Sequence, residues 1–192
     1  GGTGLHSDLN GVPDTTTTRT LGVGLKHDQS GRVVWCTKTA EAYNLNIMFI
    51  KCPASGTAGN LIFTGDKKGS DNLEQIAASS NVSDIKIFSL YPAFYFAKIY
   101  EITSTNLSGT SYENGWYLPS NAELFEIYKV KATVEAASAL CGGSQFGNRG
   151  YISSSQGSYN NYTCVIGFSD GDWFDTYDKN TGWYAVCAVR EF

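Results

Sequence analysis

The spacing of hydrophobic positions divides the chain into short predicted strands and helices. Runs of β-branched and aromatic residues, bounded by Gly, Ser, Pro and Asn, predict early strands at 32–37, 46–51 and 61–64. Further strands are expected towards the end of the chain, at 151–154, 162–168 and 184–190. Between these two groups, residues 71–78 are expected to form a short helix with Asp71 as its cap.

Two longer helices are predicted in the middle of the chain. In the first, apolar residues follow a three-to-four spacing over 90–100, and Pro92 falls where a first helical turn tolerates it. The second begins at Ser120, which can form a capping box with Glu123, and it ends at Gly142. Strands, then helices, then strands predict an α+β fold of small antiparallel sheets with two main helices.

The length and composition are those of one globular domain. The chain has 192 residues, 42% of them hydrophobic and 17% charged, which is enough to bury a core. We therefore expect a single domain over residues 1–192. Residues 1–31 are rich in Gly, Thr and Asp without a sustained period, so they are expected to be irregular with at most one short strand.

Charge and hydropathy narrow the class of partner. The net charge is −4 and the Lys and Arg residues do not cluster, so nucleic acid is not an expected partner. No apolar run approaches the length of a membrane-spanning helix. The sequence begins at Gly1 and Gly2 without Met, so a removed signal peptide or a lipid anchor would lie outside it. A membrane is expected as a partner only through such an anchor.

The cysteines and histidines do not indicate a metal site. Five cysteines are widely spaced without a C-x-x-C pair, and only two histidines accompany them, so no zinc site is expected. The odd number of cysteines also argues against a complete disulfide framework. Cys36, Cys164 and Cys187 lie in apolar runs, where a buried free thiol is the expected state.

Candidate catalytic groups are weak. His27 beside Asp28 is interpreted as a solvated loop pair, and Ser153, Ser154 and Ser155 lack the G-x-S-x-G context of an activated serine. No catalytic residue and no cofactor is expected.

Four aspartates raise the question of a calcium site. They are close together in the sequence, at Asp170, Asp172, Asp175 and Asp178. Their spacing lacks the ordered ligand pattern of a calcium loop, so a solvated acidic loop is the preferred interpretation. No metal is expected.

The segment from 157 to 184 has the composition of a recognition surface. Its aromatic residues are interleaved with Asp and Asn. Tyr and Trp offer large, stiff contact areas, while Asn, Asp, Ser and Gly offer adaptable hydrogen bonds. The alternative is a Tyr-rich β-region whose aromatic side chains alternate into the core.

Several motifs resemble a bacterial family with a C-type-lectin-like fold, to which the sulfatase-modifying enzymes are related. Residues 113–124 (E-N-G-W-Y-L-P-S-N-A-E-L) resemble its signature G-W-x-L-P-S-x-x-E-L. Residues 150–156 (G-Y-I-S-S-S-Q), 168–171 (F-S-D-G), Lys179 and 186–190 (V-C-A-V-R) are similar to its later motifs, in the same order.

Within that family the chain most resembles the variable lipoproteins of spirochaetes, which are targets of diversity-generating retroelements. The resemblance covers 89–192. Ile152 stands where the family usually has Trp, and Cys187 stands where it often has Arg.

The resemblance implies that residues 150–192 form a variable ligand-binding region, rewritten by reverse transcription with errors at adenines. AAC codons changed at their adenines cannot give Lys, Glu, Gln, Met or Trp. Residues 157–178 contain no Lys, Glu, Gln or Met, in agreement with this implication. Trp173 and Trp183 must then be scaffold positions or derive from other codons.

Such a surface needs a rigid scaffold with residues that point inward and residues that point outward. A period of two over 162–168 places Cys164, Ile166 and Phe168 on one core-like face. In the last strand it places Val186 and Val189 on opposite faces, and both are expected to point inward because that strand is expected to be covered on both faces. The outward residues, which we expect to contact the ligand, are Tyr159, Asn160, Tyr162, Asp170, Asp172, Phe174, Asp175, Tyr177, Asp178, Thr181 and Tyr184. Trp116 and the helix from Ser120 are expected to support the fold.

The sequence therefore predicts a non-enzymatic protein that binds an extracellular macromolecular ligand. It is expected at the cell surface or outer membrane, either with or without a lipid anchor. The ligand is a protein or a glycan. The alternative is a carbohydrate-binding or adhesin module with a fixed sequence. A third interpretation is structural, with the aromatic loops packed against another domain of a longer protein.

Overall fold

Small antiparallel sheets form the framework of the protein, in a computed structural model that describes residues 20–192. The first sheet has the order β1-β8-β4 and contains Leu21–Val23 (β1), Val189–Glu191 (β8) and Trp116–Tyr117 (β4). The second is a hairpin of Ala54–Thr57 (β2) and Asn60–Phe63 (β3). The third has the order β5-β6-β7 and contains Gly150–Gln156 (β5), Tyr162–Gly167 (β6) and Trp173–Asp178 (β7).

Short helices connect and cover these sheets. The described residues form five α-helices: Asn72–Ala78 (α1), Pro92–Lys98 (α2), Tyr100–Thr103 (α3), Asn121–Lys129 (α4) and Lys131–Leu140 (α5). Single 3₁₀ turns occur at Met48–Ile50, Asp84–Lys86, Phe88–Leu90 and Thr105–Leu107. The predicted α+β class with small antiparallel sheets is therefore confirmed.

The pairing of β1 with β8 brings the two ends of the described chain together. Leu21 lies opposite Glu191 and Val23 lies opposite Val189. Two further backbone hydrogen bonds extend the pairing, from Gly24 N–H to the Ala188 carbonyl and from the Phe192 N–H to the Thr20 carbonyl. The segment between these two strands, which contains the other helices and strands, therefore begins and ends at the same sheet.

The β5-β6-β7 sheet lies between two hydrophobic clusters. Ile152 and Val165 face the cluster that contains Trp35, and Tyr151 and Ile166 face the other cluster. Its members include Phe125, Phe146 and Phe168. Because both faces of β5 and β6 are covered, every residue of these strands after the first is buried, including the polar residues of β5. The central strands are fixed in place, and only the edge strand β7 reaches the surface.

Two of the early predicted strands are wrong. Residues 32–37 form no strand, and 46–51 contain the 3₁₀ turn Met48–Ile50. The backbone of Cys36 donates to the Lys179 carbonyl at 3.1 Å, and Thr37 donates to the Leu90 carbonyl at 2.9 Å. Trp35 and Ile50 are fully buried. The apolar residues of these segments are therefore buried in irregular backbone and do not form strands. The strand predicted at 61–64 is confirmed as β3.

The last predicted strand is mostly irregular. Of residues 184–190, only 189 and 190 belong to a strand, as part of β8, while Ala185 and Val186 form isolated bridges to Tyr151 and Asp28. The sequence also missed β7, because its residues alternate between aromatic and acidic types and were assigned to a loop. The strands predicted at 151–154 and 162–168 are confirmed by β5 and β6.

The helix predictions hold better than the strand predictions. The helix predicted at 71–78 is confirmed by α1. The helix predicted at 90–100 is confirmed over Pro92–Lys98 as α2, with Pro92 as its first residue, but the backbone breaks at Ile99 before α3 begins. Asp71 is at the cap position of α1, but its side chain makes no capping hydrogen bond. It accepts a bond from the Gln75 side-chain amide at 3.0 Å. The helix position was therefore predicted correctly, and its capping bond was not.

The helix predicted from Ser120 to Gly142 is interrupted. Val130 has φ −111° and ψ 18°, which ends α4 and lets α5 begin in a new direction. The capping box itself is confirmed: Ser120 Oγ accepts the Glu123 N–H at 3.2 Å, and the Glu123 carboxylate accepts the Ser120 N–H at 2.9 Å. A local motif fixed the start of the helix, while the break follows from packing.

The region predicted to be irregular, 1–31, is described only in part. Residues 20–31 contain the short strand β1, and residues 1–19 lie outside the described residues. Trp116 is buried, as expected of a support, and its Nε1 donates to the Tyr112 carbonyl at 2.7 Å.

Candidate ligand-binding surface

The structure keeps every predicted contact residue out of the core. The exposed ones are Tyr159, Asn160, Asp170 and Phe174. The half-buried ones are Tyr162, Asp172, Asp175, Tyr177, Asp178, Thr181 and Tyr184. The residues predicted to point inward are all buried: Cys164, Ile166, Phe168, Val186 and Val189. The inward prediction is therefore confirmed, and the contact of the outward residues with a ligand stays a prediction.

A β-bulge places two aromatic residues of β7 on the same face. Val165 pairs with Phe174 and Thr163 pairs with Tyr177, so two steps along β6 correspond to three steps along β7. Without the extra residue, side chains three positions apart would point to opposite faces of the strand. The bulge therefore brings Phe174 and Tyr177 together, with their ring centres 5.8 Å apart.

Tyr184 continues this aromatic row. Its ring centre lies 4.5 Å from that of Tyr177, and both residues pack on the cluster that contains Trp35. Burial, followed by a hydrogen bond with Tyr177, raises the pKa of Tyr184. We call Phe174, Tyr177 and Tyr184 the β7 aromatic face. Packing on the core holds two of its rings in place while part of each ring stays accessible, so the face is ordered before a ligand binds.

Two glycines provide the floor of the β7 aromatic face. Gly150 and Gly167 lie directly opposite each other on β5 and β6. A Cβ atom on Gly150 would lie 2.6 Å from Cδ1 of Tyr184. A Cβ atom on Gly167 would lie 3.1 Å from Oδ1 of Asp170 and 3.7 Å from Cε2 of Phe174. The absence of side chains at this pair therefore lets the rings and one carboxylate lie against the backbone.

The turn between β5 and β6 carries a second aromatic pair. Tyr159 and Tyr162 lie edge to face with their ring centres 5.5 Å apart, and Tyr159 is 67% exposed. The Gly157 N–H donates to the Tyr162 carbonyl at 2.8 Å, and the Ser158 N–H donates to the Asp175 carbonyl at 3.0 Å. These bonds fix the turn to β7, so the Tyr159–Tyr162 pair and the β7 aromatic face belong to one rigid unit.

Asp178 is occupied by bonds within the protein. Its carboxylate accepts the Tyr43 hydroxyl at 2.5 Å, the Asn161 side-chain amide at 3.2 Å and the Asn180 N–H at 2.8 Å. Burial opposes ionisation of Asp178, but these hydrogen bonds outweigh it and lower its pKa. Thr181 N–H donates to the Asp178 carbonyl. Both residues therefore shape the turn after β7.

A buried polar layer supports the sheet from the other end. Ser153, Ser154 and Ser155 are fully buried. Ser153 Oγ donates to the Cys164 carbonyl at 3.2 Å, and Ser155 Oγ accepts the Asn121 N–H at 3.1 Å. The hydroxyls therefore hold β5 to β6 and to the start of α4, in agreement with their interpretation as a strand segment.

Trp183, for which the sequence left open a scaffold position or another codon, is exposed. It is 82% exposed, and Tyr184 follows it directly. The backbone before it is tightly placed, since a Cβ atom on Gly182 would lie 3.0 Å from the Gly31 carbonyl oxygen. Trp173, by contrast, packs on the cluster that contains Phe168.

His27 is not the solvated loop residue that the sequence suggested. Its Nδ1 lies 2.8 Å from the Tyr151 hydroxyl, and its ring centre lies 4.6 Å from that of Phe146. Burial lowers the pKa of His27 to about 4, although a backbone hydrogen bond with Gly24 works in the other direction. His27 is therefore a neutral packing residue at physiological pH.

The cysteines are free thiols. Cys36, Cys52, Cys164 and Cys187 are buried, and Cys141 is exposed. The expected burial of Cys36, Cys164 and Cys187 is confirmed. Burial raises the pKa of Cys36 and of Cys164 to about 12.

Metal-binding clusters and membrane-spanning helices were sought over residues 20–192. No group of three or more His, Cys, Asp or Glu side chains there could hold a metal ion. None of the helices in the same range has the length and apolar composition to cross a bilayer.

Comparisons with family models, curated proteins and solved structures gave no match to the chain. The class that the structure defines is an α+β domain with an aromatic surface on an edge strand. Its function is therefore argued from this surface.

Proposed function

We propose that the protein is a non-enzymatic, surface-displayed ligand-binding protein with a C-type-lectin-like fold, whose 150–192 region is diversified by a retroelement. The ligand is an extracellular macromolecule, and the β7 aromatic face with the Tyr159 turn and Trp183 is its contact surface. The carrying observation is the separation of residues in this region: the inward set is buried and none of the outward set is.

The closure of the chain supports the C-type-lectin-like part of the proposal. In such a fold we expect the first and last strands to pair and the ligand-binding loops to extend from that base. The β1-β8 pairing has this form. The β5-β6-β7 sheet lies in the loop that this pairing closes.

The physical character of the surface supports a binding role. Trp183 and Tyr159 are 82% and 67% exposed, and Phe174 is 39% exposed. Exposed aromatic side chains supply large contact areas for little loss of rotamer entropy, and they are enriched among the residues that dominate binding energy. Backbone hydrogen bonds hold the turn that carries Tyr159, so binding would cost little conformational entropy there.

Sequencing of the locus tests diversification. Reads from one growing culture and from related isolates should show variation confined to 157–187, at codons that encode the outward residues. Codons for the buried residues Ile166 and Val186, in the same stretch, are the internal control and should stay constant. An invariant stretch in all isolates would overturn diversification and favour a fixed-sequence carbohydrate-binding or adhesin module.

A tolerance experiment tests the scaffold independently of any known ligand. Libraries would randomise either Tyr159, Asn160, Phe174 and Trp183, or the buried set Cys164, Ile166, Phe168 and Val186. Yeast display followed by protease treatment measures the folded fraction. Most members of the first library should resist protease and few members of the second, because only the second disturbs close-packed core positions. An equal loss of folded protein in the two libraries would contradict the proposal that the side chains of this surface can be exchanged without loss of the fold.

A further inference from the structure

The inference concerns the chemistry of the ligand, and it rests on the proposed function of the β7 aromatic face. Asp170 Oδ1 and Phe174 Cε2 both lie over Gly167, at 3.1 Å and 3.7 Å from the position of its absent Cβ. Asp170 and Phe174 are exposed. A carboxylate therefore lies beside an accessible aromatic ring.

The charges of this region are all of one sign. Between 150 and 178 the only charged residues are Asp170, Asp172, Asp175 and Asp178. The next one, Lys179, is fully buried. Side-chain hydrogen bonds from Tyr43 and Asn161 occupy Asp178, whereas Asp170 and Asp172 each accept a backbone N–H. These two residues and Asp175 are exposed or half-buried.

Among the described residues, several cations stand around the border of this surface. The exposed Arg149 is one of them, because its carbonyl accepts the Phe168 N–H at 2.9 Å. The backbone of Arg32 lies 3.2 Å from the position that a Cβ atom on Gly182 would take. Lys38 acts on Asp178, where it helps to lower the pKa. Lys131 donates to the carbonyl oxygens of Phe168 and Gly147. Residues 150–178 themselves contain aspartates and no cation, so their charge is complementary to a cationic partner.

The arrangement of the rings distinguishes between partner classes. The Phe174 and Tyr177 rings are inclined by 67°, and the Tyr177 and Tyr184 rings by 60°. The three rings therefore do not form one flat shelf on which a run of sugar rings could stack. A guanidinium group needs only a single ring face and a nearby carboxylate, with which it forms planar, charge-assisted hydrogen bonds.

We propose that the β7 aromatic face and Asp170 bind an arginine side chain on the surface of a polypeptide partner. The guanidinium stacks on the exposed face of Phe174 and donates hydrogen bonds to the Asp170 carboxylate. Asp172 and Asp175 add attraction that steers a basic segment towards this face. The surrounding positions supply the remaining contacts and determine which basic protein is bound.

The test uses fluorescent octapeptides of arginine, lysine and citrulline, with binding measured by fluorescence anisotropy at about 50 mM salt, where charge attraction is weakly screened. Citrulline keeps the shape of arginine without its charge. The arginine peptide should bind most tightly and the citrulline peptide least. Equal affinity for arginine and lysine would overturn the stacking on Phe174, and equal affinity for arginine and citrulline would overturn the role of charge.

Two matched charge variants show where the peptide binds. Asp170→Asn with Asp172→Asn removes two charges from the face, while Glu74→Gln with Glu126→Gln removes two exposed charges from α1 and α4. The face variant should bind the arginine peptide about tenfold more weakly than the helix variant, as expected for loss of a charge-assisted contact. Equal weakening would show attraction by net charge alone and would overturn the proposal. Asn keeps a side-chain oxygen for the Asp172 and Trp173 N–H groups that these carboxylates accept.

A ring variant completes the test. Phe174→Leu keeps an apolar side chain but removes the aromatic face, so it should weaken arginine binding several-fold. Unchanged binding would overturn the placement of the guanidinium. Locus sequencing distinguishes the two proposals: variable codons without arginine binding would remove only this inference, and invariant codons with arginine binding would leave a fixed receptor for basic proteins.

Discussion

Lys179 lies beneath Trp35, with its Nζ 4.5 Å from the centre of the aromatic ring. Nζ donates to the Ala42 carbonyl at 2.7 Å and lies 3.4 Å from Oε1 of Gln156, which also accepts the Ile47 N–H at 3.0 Å. Burial lowers the pKa of Lys179 to about 8. This lysine therefore connects the end of β7 to the irregular segment that was mistaken for strands.

The depressed pKa predicts how stability depends on pH. In the unfolded chain Lys179 keeps its ordinary pKa of 10.5, so the unfolded state binds more protons than the folded state from about pH 8 upward. The native protein should therefore gain about 1 kcal/mol relative to Lys179→Met between about pH 8 and about pH 9. Urea unfolding of the two proteins over this range measures the difference.

The comparison with the methionine variant is needed because the buried thiols act in the opposite direction. Burial raises the pKa of Cys36 and Cys164, so stability is lost as pH rises above the pKa of an unfolded thiol. Lys179 does not contribute to the pKa of Cys164, so the effect of that thiol cancels in the difference. Lys179 lowers the pKa of Cys36, so both proteins should carry Cys36→Ala for the comparison. A difference that stays constant with pH would contradict the buried position of the Lys179 ammonium group.

The capping box predicts a large effect for a small substitution. Ser120 is fully buried, and its hydroxyl accepts the Glu123 N–H and donates to the Lys67 carbonyl at 2.6 Å. Ser120→Ala should lower the free energy of unfolding by about 2 kcal/mol, because it removes the cap and leaves a buried carbonyl without its donor. Thermal or urea unfolding is the measurement. Ser108→Ala, at an exposed loop position, is the matched control and should have little effect.

Thiol labelling should separate Cys141 from the other cysteines. Cys141 is exposed, while the other four are buried. A maleimide reagent should therefore modify one thiol in the native protein and five in urea. Mass spectrometry counts the adducts, and Cys141→Ser should abolish the native signal. Rapid native labelling of a second cysteine would show that one of the cores is more open than the structure indicates.

The aromatic residues of the surface should divide into contacts and supports. Trp183 and Tyr159 are well exposed, so Trp183→Ala and Tyr159→Ala should change the free energy of unfolding by less than about 0.5 kcal/mol. Tyr177 and Tyr184 pack on the core, so their replacement by Ala should cost about 2 kcal/mol each. Calorimetry measures all four. A large cost for Trp183→Ala would show that it supports the fold, which was one of the two alternatives that the sequence left open.

The sequence predicted those elements whose signals are local. The capping box at Ser120 and Pro92 at the start of α2 rely on atoms a few residues apart, and both were read correctly. The alternation in 162–168 identified one buried face, with Cys164, Ile166 and Phe168. It did not show that the opposite face, with Thr163 and Val165, is buried as well. The mixed aromatic and acidic pattern of β7 hid that strand, since an edge strand need not bury either face completely.

By itself, the sequence determined the α+β class, the capping box at Ser120, one buried face of β6 and the negative charge of the 150–178 region. Tertiary structure decided which apolar segments pair and how the surface is arranged. The Cys36 N–H finds its acceptor at Lys179, far away in the sequence, so burial there could not be distinguished from strand pairing. The β7 bulge and the glycine floor place Phe174, Tyr177 and Tyr184 together, because register and close approach depend on neighbouring strands.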